Sequence, residues 1–192
     1  MSLQIVIGQG KNDSLILRPL GFGVQMEQFN FLGFPYFYGY SLYPSGNSFL
    51  ISINTSNNFR IEPELGYYTI KDSASNQTVS ALKYGLSLYG MFQKGNVNFS
   101  FGGRLSAASF KDESSGNGII SPSNITGSVI EYGPIIGAEY YVNRHFSFGA
   151  NFGLMISSAT TRNNISNING SNNPENISYT YTTTGLSVRF YY

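Results

Sequence analysis

The ionisable side chains of this 192-residue sequence recur at every second position within short segments, at the same parity as many Gly and Ser residues. Since alternate residues of a β-strand point to the same face, this spacing predicts one polar face on which acids and bases meet. The set could provide an acid–base pair or a cation path, but four bases beside five acids favour a network of paired charges. Its nine predicted members are Glu27, Arg60, Glu62, Glu64, Lys83, Arg104, Glu131, Glu139 and Arg189.

Other kinds of chemistry are limited by the residue types that the sequence lacks. Cysteine is absent, which excludes disulfides, thiolate nucleophiles and Cys-based metal sites. His145 is the single histidine, so a His-rich metal site is excluded as well. The net charge of +1 provides no electrostatic reason to expect nucleic acid. We therefore predict no cofactor, no metal and no nucleic-acid partner.

The composition is unsuited to a protein whose whole surface meets water. Charged residues make up 11% of the chain, against roughly 25% for an ordinary soluble domain, whereas 16% is aromatic. No run of about 18 apolar residues occurs, so a membrane-spanning helix is excluded on length. A membrane protein without such helices must be a closed β-barrel, because hydrocarbon offers backbone N–H and C=O groups no other partners.

Segments with period-two alternation are separated by breaks that are alternately short and long. The short breaks cover 55–58, 94–96 and 143–145, and the long polar ones cover 71–79, 111–126 and 161–178. This rhythm predicts an all-β fold, an eight-stranded antiparallel up-and-down transmembrane β-barrel with its long loops at one end. The predicted strands are Leu15–Gln28, Phe49–Asn54, Phe59–Ile70, Ser80–Gln93, Val97–Phe110, Gly127–Val142, Phe146–Thr160 and Tyr179–Tyr192.

The barrel domain is predicted to cover residues 14–192, after an N-terminal extension at 1–13 that would lie in the periplasm. About 11 residues per strand, tilted by about 40°, would cover roughly 27 Å of membrane. A ten-strand variant, which adds Leu3–Gly8 and Tyr36–Tyr43, preserves the up-and-down order and stays open. Residues 1–13 lack the basic start and long apolar stretch of a secretory signal, so we expect a signal peptide to have been removed ahead of them.

The two faces of the strands differ in a way that predicts which one meets lipid. Between residues 146 and 156 one parity is apolar, as in Phe146, Phe148 and Phe152, and the other is small and polar, as in Ser147 and Asn151. A narrow eight-strand interior has room for only modest side chains, so the aromatic face is predicted to meet lipid and the charged face to line the lumen. Tyrosines near strand ends are expected to form girdles at the membrane boundary: Tyr67, Tyr68, Tyr140, Tyr141, Tyr179, Tyr181, Tyr191 and Tyr192.

The last segment of the chain resembles the closing strand of outer-membrane barrels. Such strands end in an aromatic residue after alternating apolar positions, which here are Leu186, Val188, Phe190 and Tyr192. That resemblance implies recognition by the barrel-assembly machinery. Segments 58–68 and 132–141 resemble strands of the porin family or OmpA-like (OmpX-type) β-barrel proteins common in Bacteroidetes. Over about residues 14–192 the resemblance implies a bacterial outer-membrane protein in contact with membrane lipid and lipopolysaccharide.

The stretch from Phe29 to Gly46 is rich in aromatic residues and is a predicted loop between the first two strands. Held above the outer leaflet, it could bind an extracellular sugar, peptide or partner surface. Alternatively, the two strands extend beyond the membrane and pack these rings together. The residues that would carry binding are Phe31, Phe34, Tyr36, Tyr38 and Tyr40.

An enzymatic function rests on one short pattern. His145 and Ser147 form a His-x-Ser pair, and outer-membrane lipid A deacylases use a His, a Ser and a carboxylate. His145 lies in a predicted periplasmic turn, however, whereas such an enzyme works on the outer leaflet. We therefore expect a non-enzymatic barrel with a structural, adhesive or surface-binding role and a lumen closed by ion pairs. A narrow channel for small solutes or ions is the first alternative, and a lipid A-modifying enzyme is the second.

Overall fold

The computed structural model describes residues 18–27, 47–72, 77–114, 123–163 and 174–192. Each strand pairs antiparallel with its sequence neighbours, and the first pairs with the last to close the ring. Across the described ranges no helix is both long and apolar enough to cross a membrane. The strands are β1 (Leu20–Glu27), β2 (Asn47–Ser56), β3 (Phe59–Asp72), β4 (Gln77–Lys94), β5 (Val97–Ser114), β6 (Ser123–Asn143), β7 (Phe146–Asn163) and β8 (Glu175–Tyr191).

The closed ring confirms the predicted eight-stranded up-and-down fold and contradicts the ten-strand alternative. Val24 in β1 pairs with Phe49 of β2 on one side and with Val188 of β8 on the other. Both hydrogen-bonding edges of β1 are therefore used by these neighbours, and no further strand can enter the ring there. The segments proposed as extra strands, the extension at 1–13 and the aromatic stretch from Phe29 to Gly46 lie outside the described residues.

Three tight turns connect strands at one end of the barrel, where β1 also begins and β8 ends. They lie between Ser56 and Phe59, between Lys94 and Val97, and between Asn143 and Phe146. Gly95 has a φ of +62°, which confirms that its turn needs the left-handed backbone region that glycine adopts without strain. We call this the turn end and the opposite one the loop end.

Most strands extend further toward the loop end than the sequence pattern predicts. β4, β5 and β7 each have 18 residues and β6 has 21. The segments 111–114 and 123–126 were both predicted as loop, but they pair with each other as strand. A strand ladder needs backbone partners and not apolar side chains, so the end of hydrophobic alternation does not mark the end of a strand.

The first strand is shorter at the turn end than predicted. Residues 15–17 lie outside the described part of the chain, and Arg18 and Pro19 precede the strand, which begins at Leu20. Proline has no N–H to donate to a strand ladder. The carbonyl groups of Arg18 and Pro19 instead accept hydrogen bonds from Asn54, from its side chain at 2.6 Å and its backbone N–H at 2.8 Å.

The barrel is apolar outside and polar inside, as the parity of the strands predicts. Arg60, Glu62 and Arg104 are all less than 5% exposed in the lumen. A soluble barrel would have the opposite arrangement, with charges on the outside and apolar side chains in the core. More than half of each side chain is exposed at outward-facing positions such as Phe101, Leu105, Ile136 and Leu186.

The prediction that the strand-end tyrosines form girdles is wrong for three of them. Tyr141, Tyr181 and Tyr191 point inward and are 5% exposed or less. Each of them has a hydroxyl that hydrogen-bonds a lumen carboxylate, and a buried phenol needs such a partner. Tyr67, Tyr140 and Tyr192 do face outward. Tyr179 is half-buried on the inward parity, and the side chain of Tyr68 lies outside the description.

Candidate functional site: the charged lumen

All nine charged residues that the sequence groups together lie on the inner face of the barrel. The period of two along each strand puts them there, because a residue and its second neighbour share a face. They come from six strands: Glu27 from β1; Arg60, Glu62 and Glu64 from β3; Lys83 from β4; Arg104 from β5; Glu131 and Glu139 from β6; and Arg189 from β8.

Four of these residues form a closed ring of alternating charge near the turn end, which we call the turn-side quartet (Arg60, Glu62, Glu139, Arg189). Glu62 accepts two hydrogen bonds from Arg189, both at 3.0 Å, and lies 3.9 Å from Arg60. Glu139 lies 2.8 Å from Arg60 and 3.8 Å from Arg189. Each acid therefore contacts both bases, and the ring carries no net charge.

Hydroxyl groups complete the hydrogen bonding of the turn-side quartet. Ser52 donates to Glu62 at 2.6 Å, and Ser147 and Tyr191 donate to the same oxygen of Glu139 at 2.5 and 2.6 Å. These donors come from β2, β7 and β8, so the carboxylates are held from several sides. A buried carboxylate has up to four lone-pair sites to satisfy, and such donors lower the cost of enclosing it.

A second ring of alternating charge lies closer to the loop end, and we call it the loop-side quartet (Glu27, Glu64, Lys83, Arg104). Lys83 lies 2.6 Å from Glu27 and 3.1 Å from Glu64, and Arg104 lies 2.7 and 3.2 Å from the same two acids. Again two acids alternate with two bases. A Cβ atom at Gly85 would come within 2.8 Å of the Glu64 side chain, so this glycine leaves the space that the ring occupies.

The two quartets explain how a narrow barrel can enclose so many charges. An isolated charge in such surroundings would cost several kcal/mol of desolvation, and only close partners offset that cost. Pairing within each quartet leaves neither ring with an excess charge. The remaining acid of the nine is Glu131.

Glu131 belongs to neither quartet, although the sequence pattern groups it with the others. Its carboxylate accepts hydrogen bonds from Ser106 at 3.0 Å and from the Tyr181 hydroxyl. No Lys or Arg of the described residues forms an ion pair with it. The residues opposite it on the adjacent strands are Ser106 and Ser157, neither of which carries a positive charge. Glu131 is thus a buried acid that accepts hydrogen bonds from neutral hydroxyl groups.

Large side chains fill the turn end of the lumen, and sequence reasoning missed them. The rings of Tyr141 and Tyr191 lie 5.6 Å apart between their centroids, and both hydroxyls reach Glu139. The sequence does contain a signal for their inward orientation, because Tyr141 and Tyr191 share the parity of the charged positions on their strands. The apolar cluster at this end consists of Tyr89, Met91, Ile135, Tyr141 and Tyr191.

Within the described strands, the two quartets, Glu131 and the apolar cluster all lie in the lumen. The apolar cluster and the turn-side quartet occupy the turn end, and the loop-side quartet and Glu131 lie further toward the loops. With the apolar exterior, this is a β-barrel of the membrane type.

Comparison with known proteins finds similar solved structures at low sequence identity. No protein-family model matches it, and no curated protein matches it. It is similar to a solved structure of a major outer membrane protein from Thermus thermophilus, with 13% sequence identity, a TM-score of 0.46, and coverage of 89% of this chain and 98% of that one. The outer membrane protein Omp33 of Acinetobacter baumannii has 12% identity and a TM-score of 0.15, covering 92% of this chain and 99% of that one. The strand pairing and the exposed apolar residues define the fold without these structures.

The His-x-Ser pattern is not assembled as a nucleophile with its base. Ser147 faces the lumen, is fully buried and donates to Glu139 at 2.5 Å. His145 lies in the turn, where its Nδ1 is 2.9 Å from the carbonyl oxygen of Tyr191. Each side chain is thus bonded to a different partner. Within the described ranges no group of three or more His, Asp or Glu residues is placed to hold a metal ion.

The predicted assembly signal lies on the outer face of β8. Leu186, Phe190 and Tyr192 are 66%, 52% and 68% exposed, and Val188 is half-buried on the same face. The inward positions between them include Arg189 of the turn-side quartet. The last strand therefore combines an apolar outer edge with a lumen charge.

Proposed function

We propose that the chain is an integral protein of the bacterial outer membrane, of the porin or OmpA-like kind, with a structural, adhesive or surface-binding role. One observation supports this most: the outward face of the barrel is apolar over the middle of the strands, while the nine grouped charges lie inside. On β5 the outward apolar run extends from Val97 to Ala107, a rise of roughly 25 Å for tilted strands. That height equals the apolar band of outer-membrane barrels.

The proposed surroundings and partners follow from the same face. Membrane lipid and lipopolysaccharide would surround the apolar band, and the barrel-assembly machinery would recognise the exposed apolar positions of β8. A ligand outside the cell would be bound by the loops at the loop end. Longer strands at that end would raise those loops above the membrane surface.

We further propose that the lumen is closed and does not transport solutes. The two quartets and the apolar cluster support this, because a solute could pass only by breaking buried ion pairs or displacing tyrosine rings. Each broken buried pair would cost about 3–5 kcal/mol. A narrow channel is the alternative, and planar-bilayer recording separates the two. The closed barrel should give no steady conductance, whereas reproducible single-channel steps would favour the channel.

The membrane assignment is tested by folding the purified chain in detergent. We expect β-type circular dichroism only with detergent or lipid, and a change in gel mobility when the folded sample is boiled. A chain that folds as a monomer in plain buffer would contradict the membrane assignment. The outward aromatic residues would then belong to the core of some other assembly.

We also propose that the protein is not an enzyme, which the separate hydrogen bonds of His145 and Ser147 support. The test is an assay for deacylation of lipid A by the parent protein and by His145→Ala. We expect no activity in either. Activity in the parent that His145→Ala abolishes would favour the lipid-modifying alternative.

A further inference from the structure

A small cavity lies inside the barrel against β5, β6, β7 and β8. Neutral polar side chains line part of it, namely Asn98, Ser100, Asn151 and Ser187. Arg60, Glu139 and Arg189 of the turn-side quartet line another part. The volume open to the centre of a water molecule is about 20 Å³, and roughly 10–15 Å³ is enough for one water.

Two buried amide oxygens at this cavity have no hydrogen-bond donor among the described residues. They are Oδ1 of Asn98 and Oδ1 of Asn151. Both residues contribute to the cavity wall, from strands on either side of β6. A buried acceptor without a donor destabilises the fold, so two of them at one cavity indicate that something supplies the missing donors.

The orientation of the Asn151 amide follows from its partners. Its Nδ2 donates to the Gln25 side-chain oxygen at 2.7 Å, and the Gln25 nitrogen donates to Glu27 at 3.0 Å. Because the Glu27 carboxylate is an acceptor, Gln25 must present its nitrogen to it and its oxygen to Asn151. Oδ1 of Asn151 is therefore the atom left without a donor.

Gly137 leaves the space that the cavity needs. A Cβ atom at this position would come within 2.8 Å of the Ser100 hydroxyl and 3.0 Å of the Ala150 carbonyl oxygen. It would also lie 3.5 Å from the Asn151 side chain. Any residue larger than glycine at position 137 would thus intrude on a wall of the cavity.

We propose that this cavity is a binding site for ordered internal water, which donates hydrogen bonds to Asn98 and Asn151. A metal cation is disfavoured because the charged lining, Arg60 and Arg189 with Glu139, has a net charge of +1. An anion is disfavoured because the groups that lack partners are acceptors. A small neutral molecule that donates hydrogen bonds meets both conditions. Water is such a molecule, and it is available to every membrane protein.

The bound water would join the two quartets into one hydrogen-bond network. On one side, Asn151 leads through Gln25 to Glu27 of the loop-side quartet. On the other, the water would touch members of the turn-side quartet at the cavity wall. The lumen would then be hydrated locally and still lack a passage, a property that the proposed function does not require.

The test is solution NMR of the folded protein in detergent micelles, with water itself as the probe. We expect cross-relaxation between water and the side-chain amide protons of Asn98 and Asn151, with the sign typical of a long-lived bound water. Gly137→Ala should remove both signals, and Asn98→Leu should weaken or remove the signal at the Asn151 amide. Gly103→Ala is the matched control, because its Cβ would face open space with its nearest atom 3.9 Å away.

Other outcomes overturn the proposal. A parent protein without these water signals, whose cavity takes up xenon, would have a dry cavity. Shifts of the Asn98 and Asn151 resonances that saturate with added sodium or potassium would replace water by a cation. The measurement on the parent protein decides between these results even if Gly137→Ala fails to fold.

Discussion

Arg189 on β8 and Glu62 on β3 form a two-bond ion pair across the lumen, although 127 residues separate them along the chain. Both hydrogen bonds are 3.0 Å long, and both side chains are at most 6% exposed. The pair connects strands that have β1 and β2 between them around the ring. The pair therefore links β8 to β3 across the part of the barrel wall that the two shortest strands, β1 and β2, form.

We expect Glu62→Gln to lower the free energy of unfolding by about 3 kcal/mol, because it leaves Arg189 buried without its main partner. Urea unfolding in lipid vesicles measures this, and circular dichroism is the readout because the chain has no Trp. The double variant Glu62→Leu/Arg189→Met is the control. It removes both charges and leaves Arg60 paired with Glu139 at 2.8 Å. The double variant should lose less than the single one, and an equal or larger loss would contradict the pairing.

Glu131→Gln should behave differently from Glu62→Gln. A glutamine keeps one oxygen that accepts from Tyr181, and its NH2 group can donate to the Ser106 hydroxyl, which then acts as acceptor. No ion pair of the described residues is lost. Of the residues outside the described ranges, Lys11, which precedes β1, is the only Lys or Arg in the sequence. We expect the free energy of unfolding to stay within about 1 kcal/mol of the parent or to rise. A loss as large as that of Glu62→Gln would reveal a cation partner for Glu131.

An arginine at the middle of the apolar band should impair membrane insertion. Ile136 on β6 is 59% exposed and faces outward opposite Phe101. Ile136→Arg should cost about 2–4 kcal/mol of folding free energy in lipid, the range for a cation at the midplane. Val142→Arg, on the same face of β6 next to the turn, should cost only about 0–1 kcal/mol. Equal costs at the two positions would mean that the band does not lie in the membrane as proposed.

Two inward glycines should tolerate no side chain. A Cβ atom at Gly102 would lie 1.8 Å from the backbone oxygen of Leu88, and one at Gly133 would lie 2.0 Å from that of Leu154. Gly102→Ala and Gly133→Ala should each destabilise the barrel by about 1–3 kcal/mol or more, since backbone must move. Thermal unfolding in detergent provides the comparison with Gly103→Ala, which should match the parent. If Gly102→Ala unfolded at the same temperature as the parent, β4 and β5 would not approach each other as closely at Gly102 as the structure shows.

Several features of the barrel could be predicted from local pattern. The alternation on β7 places Phe148 outside and Ser147 inside, and the structure agrees at both positions. The break around Gly95 predicts a turn, because only a residue that accepts positive φ suits it. These features depend on a few neighbouring residues, so they can be recognised without knowledge of the rest of the chain.

Local pattern gives wrong predictions for features that depend on two strands. The position of Tyr191 near a strand end predicts a girdle residue, but its hydroxyl donates to Glu139 on β6 at 2.6 Å. The predicted strands ended with the apolar alternation, whereas pairing continues to Ser114 and Ser123. In both cases the residue that decides the structure lies on another strand. Its position along the barrel axis cannot be read from the local pattern.

The sequence by itself determined the two faces and the set of nine charges that share the inner one, because strand periodicity is a local property. It left eight and ten strands open, and the closed ring decided for eight. Only the tertiary structure decided which charges meet. The register and stagger of the closed ring set the height of every position, and they bring Glu62 to Arg189 while leaving Glu131 with Ser106 and Tyr181. The parity of a position along its strand shows which face the side chain is on, but only the register of the closed ring shows which side chains it contacts.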